Sequence, residues 1–159
     1  MNYSLPFAEA IVLEAFRFAG IVTTGVMHRV VDNALFHGYH IPANTWIMPN
    51  IHAILHNERF WPEPDKFLPE RFLTPTGKAM PRDSNLVAFS LGKRSCLGEP
   101  LAKDEIFLFL TNIYRRFDIF FDPSKPRPSL SPQKGFLLCP QDFNVIVTER
   151  HNSQSTNCL

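Results

Sequence analysis

Between Ser4 and Gly20 the chain reads SLPFAEAIVLEAFRFAG, an apolar stretch broken only by Glu9, Glu14 and Arg17. The pattern predicts one helix of about four turns. Ser4 can cap it, Pro6 fits its first turn and Gly20 can stop it. From Val30 to Met48 β-branched and aromatic residues surround HGYHIP, with Asp32, Asn33 and Gly38 as turn signals, which predicts short strands. PNIHAILHN then reads as a short helix opened by Pro49, and FWPEPDKFLPERF as ordered coil pinned by its aromatics. From Glu99 to about Phe117, Leu101, Ala102, Phe109, Leu110, Ile113 and Phe117 recur at helical spacing, and Glu99 and Lys103 can pair one turn apart. That is the longest predicted helix. Beyond it DPSKPRPSLSPQKG is turn-rich, FLLC and FNVIV predict a β-hairpin across Pro140 to Asp142, and residues 151–159, HNSQSTNCL, read as a disordered tail. The fold class expected is mainly α with small β-sheets.

Composition narrows the function. The 159 residues carry a net charge of +1 with no block of one sign, so no nucleic-acid or membrane-surface footprint is visible. Fourteen prolines, about twice the ordinary share of roughly 5%, and 15 phenylalanines indicate an aromatic core laced with rigid coil. Cys96, Cys139 and Cys158 are odd in number and far apart, which argues against a disulfide framework or a thiolate zinc site and fits a reducing compartment. No signal peptide and no apolar run long enough to span a membrane are seen, so the sequon at Asn2 is read as accidental.

The remaining chemistry concentrates in FSLGKRSCLG, residues 89–98. Cys96 falls where a glycine-rich turn feeds the N-terminus of the longest helix, where backbone N–H groups and the helix dipole favour a thiolate able to ligate a metal. Gly92 and Gly98 let the backbone take positive φ or pass close to something flat, and Arg94 offers a two-pronged donor to a carboxylate. These are the needs of one face of an iron porphyrin.

FSLGKRSCLG resembles the F-x-x-G-x-R-x-C-x-G haem-binding signature of the cytochrome P450 monooxygenases. Glu14 and Arg17 resemble the family's E-x-x-R pair, and PERF at 69–72 resembles its P-E-R-F box. GYHIP, PNIHAILHNERFW, PERF and FSLGKRSCLGEPLA follow one another as in animal microsomal members of the drug- and fatty-acid-oxidising type. The resemblance implies that residues 1–150 are a partial domain, the C-terminal, haem-thiolate part of the cytochrome P450 fold. Cys96 would be the axial ligand of haem b (iron protoporphyrin IX), Arg94 and His28 would bind its propionates, and Phe89 would pack beside the thiolate. Arg71 would complete a structural triad with Glu14 and Arg17, while Gly25, Val26 and Phe136 would line a substrate pocket.

The implied reaction inserts one oxygen atom from O₂ into a small apolar substrate, with electrons from NADPH–cytochrome P450 reductase. The implied location is the cytosolic face of the endoplasmic reticulum membrane, through an N-terminal anchor that this sequence does not show; the alternative expectation for this chain is the cytosol. The membrane anchor, a helix with further propionate contacts and the central helix with its acid–threonine pair have no counterpart here. The alternative expectation is a truncated, inactive product or partial gene model unable to retain haem. Outside the motifs, Cys139 reads as hairpin core, Cys158 as an exposed tail thiol, and Phe107 and Phe109 as helix core. His52 and His56, spaced i to i+4, read as surface histidines rather than a zinc pair, because Ala53 stands where a metalloprotease needs glutamate.

Overall fold

The computed structural model describes residues 5–80, 83–133, 135 and 137–150; Ser4, Phe136, Cys158 and the 151–159 tail lie outside them. The first helix, α1, runs Pro6–Ala19. Its N-cap position is Leu5, which offers no side-chain acceptor. Proline at the first helical position loses nothing, since that N–H has no partner inside a helix. At the other end Gly20 takes φ 45° and donates its N–H to the Phe16 carbonyl, the left-handed stop that glycine makes cheaply.

The core gathers around one face of α1. Ala10 and Leu13 pack with Trp61 and Phe72, whose ring centroids lie 5.7 Å apart. A second cluster joins Ile51 and Leu55 of the short helix α2, Ile51–Leu55, to Val87, and Leu86 touches both clusters. Each large side chain buried here contributes about 1.5–3 kcal/mol. PERF forms a single 3₁₀ turn, Pro69–Phe72, which seats Phe72 in the core and leaves Arg71 beside α1. The proline-rich segment is ordered because its aromatics are anchored there. Helix α2 is capped by Asn50, whose Oδ1 accepts from the Ala53 N–H at 2.9 Å, so Pro49 precedes the helix rather than opening it.

Among the described residues, three two-stranded antiparallel sheets complete the fold. Strand β1, His28–Arg29, pairs with β4, Trp46–Ile47, and β2, Ala34–Phe36, pairs with β3, Tyr39–Ile41. His37 and Gly38, both at positive φ, make the tight turn between β2 and β3, the handedness that matches strand twist. Helix α3, Glu99–Arg116, runs directly into β5, Phe117–Phe121, which pairs with β6, Val145–Glu149.

This last sheet overturns the expected hairpin of FLLC with FNVIV. The VIV of FNVIV opens β6, but its partner is the FDIFF segment after α3, in register from Phe117 opposite Glu149 to Phe121 opposite Val145. Five continuous rungs form there, whereas the FLLC side ends at Pro140, which has no N–H to donate. Leu138 instead donates to the Ile21 carbonyl, and Cys139 makes one isolated bridge to Gln133. Cys139 is therefore exposed rather than hairpin core.

Helix α3 also differs from expectation. Phe107 is buried, but Phe109 is 68% exposed, and Leu101 and Ile113 are exposed with it. The apolar stripe is present, but the part that carries Leu101, Phe109 and Ile113 is left uncovered by the described residues. Among the described residues no helix is long and apolar enough to cross a membrane.

Candidate functional site

The cysteine loop is built by two backbone devices. Gly92 sits at φ 74°, where a side chain would be strained although the space beside it is open, and it starts a 3₁₀ turn, Gly92–Arg94. The Cys96 N–H then donates to the Phe89 carbonyl at 2.9 Å, and the Cys96 carbonyl accepts from the Glu99 N–H at 3.4 Å. Cys96 is thus fixed at its main chain while its thiol is exposed. Gly98, at the N-cap of α3, has an ordinary φ of −83°, and a Cβ there would meet the Cys96 Sγ at 3.8 Å. Phe89 is half-buried, with its ring edge-on to Phe16 of α1 at 4.8 Å. Arg94 is exposed and makes no ion pair with a described residue.

An accessible soft thiol and an uncommitted guanidinium two residues apart fit a thiolate-ligated porphyrin carrying carboxylates. The structure brings Phe89, Gly92, Arg94, Cys96 and Gly98 together on this one loop. His28, Gly25 and Val26 belong to a separate segment, and among the described residues no hydrogen bond or ion pair joins it to the loop. His28 is half-buried on β1 opposite Ile47, and Val26 is exposed. Gly25 faces Pro49: it donates its N–H to the Pro49 carbonyl at 3.0 Å, and a Cβ would stand 2.6 Å from the proline Cγ. Close packing against Pro49 accounts for a glycine at that position. The Phe136 expectation lies outside the described residues.

Glu14, Arg17 and Arg71 do meet. Arg17 donates to both Glu14 oxygens at 2.7 and 2.9 Å, and to the carbonyls of Leu55 and Lys66 at 2.9 and 3.2 Å. Glu14 also accepts from the Leu68 N–H at 2.8 Å. Arg71 stands further off, its Nε 3.5 Å from Glu14 in an ion pair without a hydrogen bond, while its Nη2 donates to the Glu63 carbonyl at 2.7 Å. The network therefore ties α1 to α2 and to the coil before PERF. Sequence spacing indicated the three side chains; the carbonyls of Leu55 and Lys66 and the amide of Leu68 carry no side-chain signal and were invisible.

His52 and His56 stack at 4.1 Å, and His56 Nδ1 lies 3.2 Å from the His52 carbonyl. Burial first, then the charge of His52, lowers the His56 pKa from its ordinary 6.5, with Arg17 adding to the shift, and the hydrogen bond to the His52 carbonyl and then Asp65 opposing it. A folded-state pKa below the unfolded one means that the unfolded chain binds the proton first. Stability present above about pH 6.5 is therefore lost as pH falls through the window beneath it. Denaturation midpoints are expected to drop on acidification through that window, and His56→Gln to remove part of the drop; superimposable pH profiles for the two proteins would contradict this.

The protein-family model for cytochrome P450 matches residues 2–147. Farnesoate epoxidase of Bombyx mori is 36% identical over 149 residues, 94% of this chain and 30% of its own length. Cytochrome P450 2D14 of Bos taurus is 36% identical over 146 residues, 92% of this chain and 29% of its own. Cytochrome P450 2U1 of Homo sapiens is 32% identical over 146 residues, 92% and 27% respectively. The chain thus spans less than a third of the length of the curated relatives it matches.

Proposed function

The chain belongs to the cytochrome P450 family, and from that premise we propose that it is the haem-thiolate part of a monooxygenase. The proposed reaction places one oxygen atom of O₂ into a small apolar substrate and releases the other as water, with electrons from NADPH–cytochrome P450 reductase. Residues 1–150 are assigned to one partial P450 domain. Cys96 would be the axial ligand, Arg94 would bind a propionate from the same loop, and His28 would bind one from β1. Phe89, Gly92 and Gly98 would shape the loop face toward the ring. When bound, thiolate-ligated haem b would supply oxygen activation, favoured by electron density from the Cys96 thiolate.

The chain's own residues hold and orient. The main chain of Cys96 is tied to Phe89 and Glu99, so the thiol is presented at a fixed place at the head of α3. The Glu14–Arg17 network anchors α1, against which Phe89 rests through Phe16. The observation that carries this reading is the exposure of the Cys96 thiol and the uncommitted Arg94 guanidinium on one ordered loop. The silkworm relative's name specifies epoxidation of farnesoate, which supports an apolar substrate class. The endoplasmic reticulum membrane, cytosolic face, is the location proposed with this activity.

A chimera tests the reading: residues 2–147 of this chain replace the matching part of Bos taurus cytochrome P450 2D14. The expected result is the red-shifted Soret band of a reduced, carbon monoxide-bound thiolate haem, with reductase-dependent oxidation of apolar substrates. A folded chimera that binds no haem would sink the proposal. A second reading concerns the 159-residue chain alone, which would be inactive and unable to retain haem. Leu97, next to the thiol, is 98% exposed, and the apolar burial that retains haem, worth about 25 cal/mol per Å², is not supplied by any described residue on that side.

A further inference from the structure

We propose that Lys103 is the positioning residue of the cysteine loop, gripping together the two residues that hold the main chain of Cys96; the functional meaning of this rests on Cys96 being the axial ligand. Lys103 lies one turn into α3. Its ammonium is 2.5 Å from a Glu99 oxygen and 5.8 Å from the centre of the Phe89 ring. Glu99 and Phe89 are also the residues whose N–H and carbonyl bond the carbonyl and N–H of Cys96. One cation therefore closes the loop from outside at both of its backbone anchors.

The lysine is committed to this place. Its side chain is only 13% exposed, so the charge has given up much of its water and the carboxylate and ring must replace it. Phe89 is pressed from another side by Phe16, which leaves the ring clamped between α1 and α3. An ordinary surface i to i+4 pair would leave both side chains in water and would touch no third group. Here the pair touches the residue whose carbonyl fixes the ligand's amide.

The test is amide hydrogen exchange in the 159-residue chain, comparing wild type with Lys103→Met, Lys103→Arg and Glu99→Gln. The Cys96 amide is the reporter, and the Leu13 amide in α1 is the control for general loosening. Lys103→Met keeps the apolar stem and loses the charge, so exchange at Cys96 is expected to rise roughly two- to fivefold, with Leu13 unchanged. Lys103→Arg should restore protection. Unchanged exchange at Cys96 in Lys103→Met, or no restoration by arginine, would overturn the proposal. Should Lys103→Met loosen Leu13 as well, Glu99→Gln decides: faster exchange at Cys96 alone supports the clamp, and none rejects it. Titration of ferric protoporphyrin IX into the chimera, with Cys96 and with Cys96→Ser, tests the ligand reading separately. Equal spectra there overturn the ligand assignment, while the exchange rates still decide the clamp.

Discussion

Arg17→Ala is expected to be the most damaging single change to stability, costing about 3–5 kcal/mol and leaving little folded protein. Both Arg17 and Glu14 have fully buried side chains, and the arginine makes four hydrogen bonds there. Truncation leaves the Glu14 carboxylate out of water with the Leu68 N–H as its one remaining hydrogen-bond donor and Arg71 at 3.5 Å. It also strips the Leu55 and Lys66 carbonyls of their donor, and a buried unpaired polar group costs about 1–3 kcal/mol. Arg17→Lys should not rescue, because one ammonium cannot serve two carboxylate oxygens and two carbonyls in the plane a guanidinium provides. Arg71→Ala should cost clearly less: its Nε makes no hydrogen bond, and its one strong contact is to the Glu63 carbonyl. Urea unfolding followed by circular dichroism measures all three. A loss below about 1 kcal/mol for Arg17→Ala, or an equal loss for Arg71→Ala, would mean that the network is not organised around Arg17.

What could be read in the sequence was what local spacing encodes. Glu14 and Arg17 share a helix face by their separation, Gly20 marks a stop, and the turn at Gly38 needs positive φ; all three stand in the structure. The cysteine loop was legible for the same reason, since Phe89, Gly92, Arg94, Cys96 and Gly98 lie within ten residues. Strand β5 was not legible, because Phe117 continues the helical period of α3 and nothing between Arg116 and Phe117 announces a break. Its pairing with β6 is a long-range choice, decided by which two apolar segments complete a ladder rather than by the turn nearest to them. The need for glycine at position 25 is not local either, since only the position of Pro49 shows why a side chain would clash. The burial of α3 was overread, since a 3.6-residue apolar period says which face would be covered and not whether anything covers it.

Cys96→Ser in the chimera is expected to abolish the thiolate-haem band altogether while leaving the fold almost untouched. The two halves of that expectation come from different observations. The Cys96 thiol is exposed, so replacing sulfur with oxygen removes no packing, and surface changes of this kind usually stay within about 0.5 kcal/mol. Its main-chain bonds to Phe89 and Glu99 do not involve the side chain and survive the substitution. A serine hydroxyl at the same place offers a harder, far less acidic donor that cannot supply the electron density of a thiolate. Cys139, also exposed but on the far segment bridged to Gln133, is the matched control, and Cys139→Ser should keep the full band. Reduced carbon monoxide spectra of the three chimeras, and melting curves of the same three variants in the haem-free 159-residue chain, separate ligation from folding, because bound haem would itself raise the melting temperature. Persistence of the band in Cys96→Ser, or its loss in Cys139→Ser at unchanged stability, would place the ligand elsewhere; loss of the band together with a large drop in melting temperature would show that Cys96 is structural in a way its exposure does not indicate.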